Sequence, residues 1–207
     1  MAEPSTARPL PGYETGGQAP GQHGTGRHDA VRYGRVAIAL HWTMAVLIIV
    51  NLVIGLFGDG IEKLLGGVSP FPLHKSIGLT VLALALVRIG WRLAHKPPPL
   101  TAAGTGTIEH RLAGGVHFLL YALMIAMPMS GWIMSSAGKS PLTWFGLFPV
   151  AKFAVARGDP IVNASDAAHH FLGLLMAALV IGHIAAALRH HFLLRDAVLR
   201  RMLPQYE

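Results

Sequence analysis

Four histidines stand inside otherwise apolar stretches of this chain: His41, His74, His169 and His183. An imidazole is costly in hydrocarbon, and one placed there usually faces a bundle interior and a specific partner. His169 and His183 are fourteen residues apart. On a helix that spacing is about 21 Å of rise and only about 40° of rotation. One helix would thus carry two imidazoles on one face, near opposite membrane surfaces. Neutral imidazole is a common metal ligand. Two of them facing each other suit a metal with two open axial positions, of which haem iron is the leading case. Zinc or copper would ordinarily recruit three or four ligands at one depth.

The elements that must position these rings follow from composition. The chain has 207 residues, 52% hydrophobic and 13% charged, with mean hydropathy +0.47. That balance predicts an all-α integral membrane protein. The absence of cysteine excludes disulfides, cysteine-held iron-sulfur clusters, covalent haem attachment and thiol nucleophiles. Any metal must therefore be held mainly by histidine. The net charge of +7 comes from basic residues flanking apolar segments, which is juxtamembrane charge and not a nucleic-acid surface.

Residues 1–31 are rich in Gly, Pro and small polar residues and are expected to form a disordered tail. Residues 32–207 form the expected membrane domain. Four spans of bilayer length are expected over about 36–57, 73–93, 116–134 and 168–188. Pro128 falls within the third and should kink it. The long connection from Ser135 to Ala167 carries the apolar patch PLTWFGLFPVAKFAV, read as a cap on the membrane surface. Twelve of the seventeen Lys and Arg residues lie in the tail, the second connection with its helix ends, and the C-terminus. The positive-inside rule then puts both termini of a multi-pass membrane protein in the cytoplasm. His41 and His183 fall at the cytoplasmic depth, His74 and His169 at the outer one, so the topology makes two facing pairs. His170, thirteen residues from His183, turns roughly 140° off that face.

Other residues bear on a cofactor. Gly78 follows His74 by four residues and Gly173 follows His169 by four, so each lies one turn along the same face, where a missing side chain could admit a porphyrin. Arg88, deep in the second span, is placed for a haem propionate or a lipid phosphate. Arg92 reads as flanking charge. Lys75 adjoins His74 and could attract an anion. His117, opening the third span, and His190, seven residues beyond His183, could each donate a hydrogen bond to a quinone carbonyl. Met176 reads as core, and the four tryptophans as an interfacial belt.

The order RYGRVAIALHW, FPLHKSIGLTVLALALVRIGWRL, VHFLLYALMIAMPMSGWIM and HHFLGLLMAALVIGHIAAALRHHFLLRDAVLRRMLP resembles the bacterial cytochrome b561 family of four-helix di-haem membrane proteins. The resemblance covers about Arg32 to Pro204. It implies two non-covalent b haems, one on His41 and His183 and the other on His74 and His169. Where members commonly carry an acidic residue, this chain has His170. The resemblance also implies one-electron transfer between an outer donor, superoxide in the more specific form, and ubiquinone. The alternatives are an anchor subunit relaying electrons from a soluble dehydrogenase or hydrogenase partner to quinone, and a haem-free histidine-lined metal transporter or sensor. The last is disfavoured because Asp and Glu are missing from the spans.

Overall fold

The computed structural model describes residues 32–95 and 107–204. The tail 1–31 and most of the second connection, including Lys96, lie outside the described residues. Four long helices dominate: α1 (Arg35–Leu64), α2 (Phe71–Ala94), α3 (Thr107–Ser136) and α4 (Pro160–Arg189). All four are long and apolar enough to cross a membrane.

Their ends obey ordinary helix rules. Pro72 and Pro160 sit in first turns, where the missing N–H would have had no partner. Lys63, Arg92 and Arg189 occupy last turns, where cations complement the helix dipole. Gly66 and Gly67, at φ of 66° and 92°, turn the chain between α1 and α2 in a conformation that favours glycine.

Three helices overrun the expected spans. At 30 residues each, α1, α3 and α4 are about 45 Å long against about 30 Å of hydrocarbon. The surplus is polar: Asp59, Glu62 and Lys63 at the end of α1, Glu109 to Arg111 at the start of α3, and Asn163 to Asp166 in α4. Helical hydrogen bonding continues past the hydrophobic boundary that a hydropathy reading marks. An ion pair of 3.7 Å between Arg189 and Glu109 ties two of these polar extensions together.

The bundle packs α1 on α2, α2 on α3 and α3 on α4. Its core is Met44, Leu52, Ile54, Ile77, Val81, Ala85, Leu123, Met124 and Met176. Large apolar residues such as Val46, Val53, Leu86, Phe118, Leu174 and Ile181 face outward, as a lipid-facing surface requires. Pro128 lies inside α3.

The two ends of the bundle are built differently. At the terminal end, α4 passes into a π-type turn over His190–Leu194, and Arg195 at φ 52° reverses the chain. The chain then folds back on α1, where Trp42 Nε1 donates to the Met202 carbonyl at 2.7 Å. At the opposite, hairpin end, the chain is not wholly helical. Strands β1 (Thr143–Trp144) and β2 (Phe148–Pro149) pair antiparallel. Phe145 N donates to Ser76 Oγ at 2.9 Å and Trp144 Nε1 to Thr80 Oγ1 at 3.0 Å. This hairpin is held against α2, so Trp144 is tied to the side of a helix and is not a free member of an interfacial belt.

Ala85 is fully buried at the centre of the bundle. Ala85→Leu is expected to overpack it, costing about 1–3 kcal/mol, and to lower the thermal midpoint of the purified protein in detergent.

Candidate functional site

Both ends of the bundle bring together the histidines that topology places at one depth. At the hairpin end the rings of His74 and His169 have centroids 6.0 Å apart. At the terminal end His41 and His183 are 6.3 Å apart. Imidazole–metal bonds of about 2 Å put the centroids of two rings trans on one metal roughly 6 Å apart. Both pairs therefore have the separation that one metal between them needs. All four rings are half-buried. Among the described residues no group of three or more His, Cys, Asp or Glu could hold a metal ion.

At the hairpin end each ring is keyed to a backbone carbonyl. His74 Nδ1 lies 3.1 Å from the Asn51 carbonyl. His169 Nδ1 lies 3.0 Å from the Met127 carbonyl and 3.2 Å from Ser130 Oγ. A carbonyl only accepts, so Nδ1 carries the proton and Nε2 keeps its lone pair. That is the tautomer a metal-binding histidine requires. Between the two rings lies a cavity of about 380 Å³ bordered by Gly78, Leu142, Gly173 and Met176, within the roughly 300–1,000 Å³ usual for ligand sites. The buried Asn51 Oδ1 has no hydrogen-bond partner, and Asn51 lines this cavity.

Gly78 and Gly173 border the cavity, but two other glycines touch the rings. A Cβ on Gly55 would stand 3.0 Å from His74 Cε1, and one on Gly131 would stand 2.8 Å from His169 Cε1. Each glycine lies on a neighbouring helix, so no spacing along the histidine's own helix announces it. At Gly78 and Gly173 the nearest side-chain atoms are 3.6 and 3.5 Å from an added Cβ, ordinary contact distances. Lys75 is exposed beside His74 and also borders the cavity. His170 also borders the cavity, with its Nδ1 bonded to the Asp166 carbonyl one turn back and its side chain 75% exposed.

The terminal end is charged and has a third ring. Arg88 donates from Nε to Tyr121 Oη at 3.0 Å and from Nη2 to His41 Nδ1 at 3.2 Å, while its buried Nη1 has no partner. A guanidinium only donates. His41 Nδ1 must therefore accept here, and its proton sits on Nε2. Arg92 lies over the other reach of Tyr121, 5.5 Å from the ring centroid. His117 stands with its centroid 5.5 Å from that of His183. It does not open α3, as the hydropathy boundary implies, because the helix begins at Thr107. His190 follows Arg189 in helical conformation at the start of the π-type turn, and its Nδ1 bonds the Asp196 carboxylate.

The chain was compared with known proteins. The family described as "Prokaryotic cytochrome b561" matches residues 32–205. "Cytochrome b561 homolog 2" of Escherichia coli (strain K12) is 33% identical over 83% of this chain and 91% of the relative. "Probable superoxide oxidase CybB" of Yersinia pestis is 31% identical over 84% of this chain and 97% of its own length. "Cytochrome b562" of Cereibacter sphaeroides is 33% identical over 83% and 94%. The b-type haem that this family implies fits the hairpin end in tautomer, cavity and ring separation. At the terminal end it fits in ring separation and in the unpaired Arg88 nitrogen, provided Arg88 turns away from His41.

Gly131→Ala is expected to push the His169 ring out of line and to reduce the haem bound per purified chain. Gly173→Ala, with ordinary clearance, is expected to leave haem content unchanged. A pyridine haemochrome assay on both variants measures the difference.

Proposed function

The chain belongs to the prokaryotic cytochrome b561 family and is a transmembrane b-type cytochrome of electron transport, and from that premise we propose that it carries single electrons across a bacterial inner membrane between superoxide and ubiquinone. In this reading both termini are cytoplasmic, the hairpin end faces outward, and two haems b are held non-covalently, one by His74 and His169, the other by His41 and His183. The observation that carries the proposal is the presence of two imidazole pairs, 6.0 and 6.3 Å between centroids, at two depths of one bundle. When bound, the haem iron supplies one-electron redox chemistry.

The protein's own residues orient, balance charge and steer. At the outer site the Asn51 and Met127 carbonyls and Ser130 Oγ fix the two Nδ1 atoms, holding the rings for Nε2 ligation. Lys75, exposed at the cavity border, attracts an anion such as superoxide. The superoxide assignment is supported by the printed name of the Yersinia pestis relative. At the inner site Arg88 has one guanidinium nitrogen unsatisfied and another on the very atom of His41 that must become N–H. Both donors would suit a propionate carboxylate of a bound haem; with Arg88 so engaged, His41 could carry its proton on Nδ1 and offer Nε2. Tyr121 holds the base of the guanidinium through Nε. His117, beside His183 and half-buried, is placed to donate to a quinone carbonyl. His190 has one ring nitrogen committed to Asp196 and only the other for such a role.

Two haems per chain are expected, with electron transfer from superoxide to a ubiquinone analogue by the single purified chain; one haem per chain, or a requirement for a second protein subunit, contradicts the proposal. His169→Ala is expected to lose one of the two haems, and His170→Ala neither. Arg88→Gln removes a cation beside the inner site and so favours the oxidised state. The potential of one haem should fall by a few tens of millivolts, about 100 mV at most, while the other stays in place in a redox titration followed in the visible spectrum.

A further inference from the structure

The hairpin Thr143–Pro149 is pinned to a particular height on α2. With 24 residues, α2 is about 36 Å long, against about 30 Å of hydrocarbon. Even if all of the roughly 6 Å of overhang lay at the Phe71 end, Ser76, about 7.5 Å along the helix, would be at the hydrocarbon boundary, and Thr80, about 13.5 Å along, would be well below it. Tilting the helix shortens the overhang and takes both deeper. Yet Ser76 Oγ receives the Phe145 amide and Thr80 Oγ1 receives the Trp144 indole N–H.

The segment is built for that depth. Irregular backbone in hydrocarbon is tolerated only where its polar groups are satisfied by protein. Here the Val150 amide bonds the Leu142 carbonyl at 2.8 Å and the Leu147 amide the Trp144 carbonyl at 2.9 Å. Pro141 and Pro149 bring no N–H at all. From Pro141 to Ala151 there is no charged residue. The face turned away from the protein is apolar: Leu147 is 73% exposed, Phe148 52% and Phe145 43%.

We infer that the hairpin is a re-entrant element whose outer face, Phe145, Leu147 and Phe148, is covered by lipid acyl chains. It does not lie on the membrane surface as an extramembrane cap. The hydrogen bonds within the hairpin and to α2 lower the cost of that placement, and the exposed apolar area provides the gain. The position of Leu142 between hairpin and cavity makes this lipid-covered segment one wall of the histidine site, so water must reach that site from another side.

The lack of cysteine allows a direct test. Leu147→Cys in the full-length, haem-loaded protein, reconstituted in phosphatidylcholine vesicles, carries a single nitroxide label. Its collision rates are measured with oxygen, which concentrates in hydrocarbon, and with a nickel chelate, which stays in water. The oxygen-to-nickel ratio is expected to match that at Val53→Cys on the outward face of α1, and to exceed several-fold that at Arg157→Cys in the exposed loop. A ratio like that of Arg157→Cys overturns the inference, because the hairpin is then a water-exposed cap. Shielding from both reagents also overturns it, because a protein partner or second copy then covers the face. Phe148→Cys gives the same readout from a second position.

Discussion

A histidine in hydrocarbon can offer one ring nitrogen to a cofactor only after the protein has disposed of the other. Much of this bundle is arranged around that constraint. The Asn51 carbonyl belongs to α1 and serves a ring on α2; the Met127 carbonyl belongs to α3 and serves a ring on α4. These are the helix pairs that pack most closely together with α2 and α3. The same contacts that bury Leu52, Ile77 and Leu123 therefore decide which nitrogen of each imidazole carries a proton. Gly55 and Gly131 complete the arrangement by letting the neighbouring helix approach the ring itself.

The two ends solve the constraint differently. The hairpin end uses neutral carbonyls, which can only accept and so hold the rings in one state. The terminal end uses Arg88, a mobile cation with a second demand of its own, its unsatisfied Nη1. A carbonyl lock is permanent, whereas a guanidinium lock yields to a competing anion. One site is preset and the other is conditional on what binds beside it.

Much of this was legible in the sequence, and the failures have physical causes. The four helices, the family and the depth matching of the histidines follow from apolar length, motif and parity. Span ends did not follow, because hydropathy marks where apolar residues stop, while helices run on through polar turns such as that at Glu109. That error placed His117 at a helix mouth when it stands beside His183. The bond from His190 to the Asp196 carboxylate was not legible, because the turn after α4 that brings Asp196 back has no apolar period to mark it. Gly78 and Gly173 were visible because they share a helix with their histidines. Gly55 and Gly131 were not, because the contact that matters to them crosses between helices. Phase sets His169 and His170 on different faces of α4, and in the structure the His169 ring stands against His74 while His170 Nδ1 bonds the Asp166 carbonyl.

Helix α4 contributes one ring to each pair, and the chain after it closes over α1 through Trp42 and Met202. Since a ribosome delivers the N-terminus first, neither pair exists while α1, α2 and α3 are alone in the membrane. The earlier histidines wait as half-sites, and the last helix completes both together. On the proposed ligation, cofactor capture would thereby be deferred to the end of synthesis, because a nascent chain arrested before Pro160 lacks the α4 ring of each pair.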